Sequence, residues 1–142
     1  FHMFNKKDGN FEYVLQVLYN RSNPALSMNF YVNNLQEAWY KIRDTGLDIN
    51  PMMPKLEHAL ALSKTLAKDF DYVRVDWYIH EEQIWFGELT FTPGAGLVTG
   101  LDRGLNKMMG EMWLQDRIVT PQAPVGVADV TDVTLPAMLK KV

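Results

Sequence analysis

Arg74, Asp76, Glu88 and Thr90 are the residues of this chain whose types and spacing could do chemistry. They fall in two segments, Val73-Arg74-Val75-Asp76-Trp77-Tyr78 and Phe86-Gly87-Glu88-Leu89-Thr90-Phe91-Thr92, the second running into Pro93-Gly94-Ala95-Gly96. Both are rich in β-branched and aromatic residues and read as β-strands. Alternation sends every second side chain to one face, so Arg74 goes with Asp76 and Glu88 with Thr90. A turn with an odd number of residues, such as His80-Glu81-Glu82, would pair the strands with all four side chains on one patch. Phe86 would join them by the same alternation. Two carboxylates and a guanidinium are the parts that hold Mg²⁺ and the phosphates it bridges. Taken without further context, the same set also describes a solvated strand face with a cross-strand ion pair.

The elements that must position these residues can be read from the rest of the chain. Residues 1–5 and 11–20 form a hairpin about a turn at Lys6-Lys7-Asp8-Gly9-Asn10, where Asp-Gly permits the positive φ of a tight turn. Phe11, Tyr13, Leu15, Val17 and Tyr19 alternate with Val14, Leu18 and polar residues, as in a strand covered on both sides. Arg21-Ser22-Asn23-Pro24 breaks it. Asn33 or Asn34 could cap a short helix from Leu35 to about Asp44, stopped by Gly46. The strongest helical pattern runs from Lys55 to Phe70, with Leu56, Ala59, Leu60, Leu62, Leu66, Ala67 and Phe70 on one stripe. A second, Met-rich helix spans Leu105 to Gln115 and carries Met108, Met109, Met112 and Trp113. The valine- and proline-containing stretch from Thr120 reads as extended. Val73, Val75, Trp77, Trp85 and Leu89 are the simplest core candidates of the central hairpin.

Composition narrows the classes. A chain of 142 residues that is 47% apolar can build the core of one domain. A net charge of −3 without a Lys/Arg cluster argues against a nucleic-acid surface. With no cysteine, thiol catalysis, thiolate zinc sites and disulfides are excluded. His2, His58 and His80 lack metal-ligand spacing. A cysteine-free, mildly acidic chain fits a cytoplasmic protein, and neither a run of about 18 apolar residues nor a signal peptide is visible.

The Arg-Val-Asp strand at 74–76, followed by Phe-Gly-Glu-Leu-Thr-Phe at 86–91 and a Pro-Gly turn, resembles the ATP-grasp superfamily. Within it, the chain is similar to the TupA-like branch of teichuronopeptide and polysaccharide biosynthesis. The likeness covers roughly Phe1 to Leu114 and is strongest over 72–96. It implies an α+β fold, a mainly antiparallel sheet with helices packed on one side, forming the C-terminal lobe of an ATP-grasp protein. Residues 1–115 would be that lobe, without the upstream nucleotide-binding lobe, and 116–142 an extended tail. The opening at Phe1, already strand-like, suggests that the native protein starts earlier.

The resemblance further implies ATP and Mg²⁺ as cofactors, with Asp76 and Glu88 as metal ligands and Arg74 as the catalytic clamp on phosphate. Thr90 stands where many members have a ligating Asn, and Phe86 would flank the nucleotide. The implied reaction activates a carboxylate as an acyl-phosphate that an amine attacks, with a saccharide or peptide acceptor. By itself the chain is expected to bind MgATP weakly and not to turn over. Two other readings stand beside this one. The chain could be a nucleotide-sugar glycosyltransferase, or a non-catalytic module whose sheet edge pairs with a second copy.

Overall fold

A computed structural model describes residues 1–6, 8–19, 26–43, 46–96 and 101–113. The expected tail, residues 116–142, lies outside this set.

Phe11–Tyr19 (β2) folds back on His2–Asn5 (β1), pairing Met3 with Tyr13 and Phe4 with Glu12. Gly9, at φ +80°, donates its N–H to the Lys6 carbonyl and closes the turn. Ser27–Val32 (β3), for which the sequence reading had no strand, pairs with the other edge of β2. Tyr40–Ile42 (β4) pairs with β3. Tyr72–His80 (β5) pairs with the free edge of β1, and Gln83–Thr90 (β6) with β5. The result is one antiparallel sheet in the order β4-β3-β2-β1-β5-β6.

The helix expected over Leu35–Asp44 is absent from its described part. Asn34 does begin as a cap, its Oδ1 accepting the N–H groups of Gln36 and Glu37 at 3.0 and 2.9 Å. The chain then turns back, and Trp39 donates its N–H to the Phe30 carbonyl, opening the β4 ladder. Pairing with β3, with Tyr40 packed on Phe30, outweighs a helical nucleus that could gain only a few hydrogen bonds. Leu35 is buried all the same.

The stronger helix forms at Met53–Ala67 (α1), behind a 3-10 turn at Asn50–Met52. Pro51 and Pro54 sit at the starts of these segments, where a missing N–H costs nothing. α1 buries Leu56, Ala59, Ser63 and Ala67 against Met3, Leu15, Val73 and Val75. Each large apolar side chain so buried contributes roughly 1.5–3 kcal/mol. Ser63 Oγ donates to the Ala59 carbonyl at 2.7 Å and accepts from Trp77 Nε1 at 2.9 Å, tying the helix to β5.

The second helix, Arg103–Met112 (α2), is capped by Asp102, whose Oδ1 accepts from the N–H groups of Gly104 and Leu105. Leu105 and Met112 pack with Phe4, Val14, Phe30 and Tyr72, the residues that alternate with those under α1. The α+β architecture and the antiparallel sheet are as expected, and α1 covers one side. α2 lies on the other, because β1, β2 and β5 are apolar at successive positions and need cover on both faces. No helix among the described residues is long and apolar enough to cross a membrane.

Candidate functional site

The α2 face of β5 carries Tyr72, Arg74 and Asp76. Beyond the end of α2 this face turns polar. Arg74 lies flat against Asp76 in a bidentate pair, Nε to Oδ1 at 2.7 Å and Nη2 to Oδ2 at 2.8 Å. The same Nη2 reaches Glu88 Oε1 at 3.2 Å and Thr90 Oγ1 at 3.1 Å on β6. Thr90 in turn donates its hydroxyl to Glu88 Oε1 at 3.0 Å. Arg74, Asp76, Glu88 and Thr90 thus form one cluster. Burial would lower the pKa of Arg74, but the hydrogen bond and charge of Asp76 outweigh it and hold the guanidinium more firmly protonated.

The sequence reading placed these four together by way of a three-residue turn. The structure does it differently. His80 pairs with Gln83 across a two-residue turn, Glu81-Glu82, with Glu81 at φ +49°. Pairing then runs through Trp77 and Phe86 but resumes at Val75 with Leu89 and Arg74 with Thr90. Asp76 therefore faces both Gly87 and Glu88, a β-bulge of one extra residue. A two-residue turn with no bulge would have put Glu88 and Thr90 on the face opposite Arg74. Gly87 makes the bulge compatible with close packing, since a Cβ there would stand 3.0 Å from the Asp76 carbonyl oxygen and 3.0 Å from the Tyr78 ring.

The same bulge corrects two expectations. Phe86 lies on the hairpin-tip side of it, so it faces α1, not the acidic patch. It meets Trp77 edge to face at 5.6 Å and lines a small apolar hollow with Leu62 and Leu66. Trp85, expected in the core, pairs with Tyr78, and both are more than half exposed. The two rings stand next to the cluster on its own face, and sequence reasoning did not connect them with it.

It also missed His2, which β1 sets directly opposite Arg74. His2 is buried, with Nδ1 2.8 Å from the Tyr72 hydroxyl and Nε2 3.2 Å from Gln16 Oε1. The only signal for it was alternation with Met3, and the partner strand could not be known. Burial pushes its pKa from 6.5 down to about 3 and keeps it neutral. Between these values the unfolded chain binds a proton that the fold refuses. Stability is therefore expected to fall as the pH drops through this window, by up to ~1.4 kcal/mol per pH unit from this group. Thermal melts from pH 7 to 4 check this against His2→Asn, for which that part of the slope should vanish.

Among the described residues no three His, Cys, Asp or Glu side chains converge. Asp76 and Glu88 nevertheless meet on a single guanidinium nitrogen. Glu88, whose side chain is 65% exposed, uses only Oε1 within the cluster. A family model described as TupA-like ATPgrasp matches residues 1–114. The chain belongs to this family. No curated protein and no solved structure matches it. The TupA-like match takes in every element from β1 to α2, so the sheet, the bulge and the polar cluster all lie within an ATP-grasp ligase-type domain.

Proposed function

We propose that Arg74, Asp76, Glu88 and Thr90 are the metal- and phosphate-binding part of an ATP-grasp site that activates a carboxylate. The observation carrying this is the convergence of Asp76 and Glu88 on Arg74 Nη2, which puts two carboxylates and a cation donor within reach of one ligand. The donor set fits Mg²⁺, which takes one or two protein carboxylates and completes its octahedron with phosphate oxygens and water. Held there by Asp76 and Glu88, Mg²⁺ would offset the charge that builds during phosphoryl transfer.

The protein's own groups have distinct tasks. Asp76 and Glu88 supply the ligand oxygens. Thr90 holds Glu88 Oε1 in place through its hydroxyl. Arg74 turns part of its donor fork from these carboxylates to a phosphate oxygen, where its charge counts most at the transition state. In the overall reaction a substrate carboxylate oxygen bonds to the γ-phosphorus of ATP as the bond to ADP breaks. An amine then attacks the acyl carbon, inorganic phosphate leaves, and the amine proton passes to solvent. Family membership supports assembly of a saccharide or peptide polymer as the setting.

Mn²⁺ in place of Mg²⁺ tests the site without turnover, because paramagnetic broadening of nearby resonances reports even weak binding. Broadening is expected around Asp76 and Glu88, strengthened by ATP and lost in the double variant Asp76→Asn/Glu88→Gln. Equal broadening in both proteins removes the reading. Release of ADP and phosphate separates a ligase from a sugar-nucleotide transferase, which leaves ATP untouched.

A further inference from the structure

The β5–β6 hairpin pairs aromatic residues at two successive rungs, and the two pairs have different surroundings. Trp77 and Phe86 face α1, where Trp77 Nε1 donates to Ser63 Oγ and the two rings meet edge to face. Tyr78 and Trp85 lie on the opposite face and are 59% and 58% exposed. Two large rings left so open add little to the core and point to a use at the surface. Alternation puts Tyr78 directly after Asp76 on that face. Its ring leans over the bulge, since the Cβ that Gly87 lacks would stand 3.0 Å from Tyr78 Cε2. Glycine leaves the space in which this ring lies, next in the chain to Glu88. The aromatic pair and the polar cluster are therefore neighbours in one strip, two residues apart along β5, or roughly 7 Å.

The charge around this strip has one sign. Residues 72–90 contain one arginine and four carboxylates, Asp76, Glu81, Glu82 and Glu88. Arg74 is committed to Asp76 through two hydrogen bonds, and Lys55 of α1 pairs with Glu82. Negative charge is thus left over beside two exposed π faces. A positively charged nitrogen gains from both, through the ring quadrupoles and through the Coulomb attraction of the carboxylates. The same charge repels an anionic lipid surface or a phosphate group that no metal accompanies, and a neutral sugar draws nothing from it. MgATP seated on the cluster keeps the sign, because its own net charge is negative.

We propose that Tyr78 and Trp85 seat a positively charged nitrogen of the amine substrate, one that does not itself react. The substrate class is then a diamine or a basic amino acid. Its charged end rests on the two rings, and a short alkyl chain, matching the roughly 7 Å between pair and cluster, carries the reacting nitrogen to the cluster. Assignment to a substrate rests on the proposed ligase activity, whereas the cation site rests on the hairpin alone. Tyr78 and Trp85 act as binding residues, with no part in the bond-making steps.

Titration with cadaverine, pentylamine, 1-pentanol and methyl glucoside, followed by NMR of the Trp85 indole and the Tyr78 ring, tests the cation site. Both amines are expected to shift these signals, and the two neutral probes to leave them in place. Trp85→Leu should weaken amine binding, read on Tyr78, by roughly 3–30-fold, while Trp85→Phe keeps most of it. Absence of any amine shift overturns the proposal. So does an equal shift with 1-pentanol, which would mark an apolar patch, or with methyl glucoside, which would mark a saccharide platform. Mn²⁺ with ATP then tests the link to the substrate. Proton lines of cadaverine should broaden, and this should vanish in Trp85→Leu while broadening around Asp76 persists. Cadaverine shifts with no broadening around Asp76 would sink the metal site and leave the cation site standing. Broadening around Asp76 with the cadaverine lines unaffected would keep the metal site and overturn the assignment to its substrate.

Discussion

Arg74→Ala is expected, on the proposed function, to lower ATP consumption by about 10²–10³-fold, the usual cost of removing one preorganised donor from developing charge. ADP and phosphate release measures it. Lysine at the same position should recover little, since an ammonium cannot reproduce the planar fork that grips Asp76 through Nε and Nη2. A second readout separates this role from a merely structural ion pair. Without the guanidinium, Asp76 and Glu88 face each other uncompensated, so the melting temperature should drop by several degrees. Millimolar Mg²⁺ should then restore more of the lost stability than it adds to the unaltered protein, because a cation takes over the neutralising charge. A stability loss that Mg²⁺ leaves untouched, with ATP consumption intact, would mark the cluster as a surface salt bridge.

Gly87→Val should be the most damaging single change to the fold near the site. Its Cβ would press on the Asp76 carbonyl oxygen, a backbone atom, at 3.0 Å and on the Tyr78 ring at the same distance. The ring can swing away, but the carbonyl cannot without disturbing Asp76 itself. A cost of roughly 1–3 kcal/mol follows, read as a lower denaturant midpoint. Deleting Gly87 offers a contrasting result. It removes the extra residue and leaves Glu88 opposite Asp76 in a regular ladder, so the deletion is expected to be better tolerated than the valine. If the deletion is the worse of the two, the bulge itself, with its local twist, is what the fold requires.

These two positions also show how far the sequence could be read. Arg74, Asp76, Glu88 and Thr90 were recoverable because alternation along a strand is local and the residue types are distinctive. Their meeting was anticipated for the wrong reason. A bulge is a property of two paired backbones, and a glycine within a strand pattern was its only trace. Phe86 was misplaced through the same gap, one residue on the far side of the bulge. α1 was legible from its apolar period. Residues 35–42 were not, because Asn34 signals a turn as well as a cap and the choice was made by β3, whose paired residues stand ten to fourteen positions earlier in the chain. The two-sided cover of the sheet was foreshadowed by Tyr13-Val14-Leu15 in β2, apolar at successive positions, yet which helix takes which face depends on pairings that no local pattern encodes.

Among the described residues, Glu88 and Thr90 belong to the outermost strand, with a neighbour on one side only. Arg74 sits one strand further in, opposite His2 of β1, and holds Asp76 in the bidentate pair. Fraying of the β5–β6 hairpin would therefore carry one carboxylate away while the bidentate pair stays behind, so the gripping geometry can come apart without any loss from the core. How closely these four side chains meet is thereby tied to how tightly an outer ribbon is clasped.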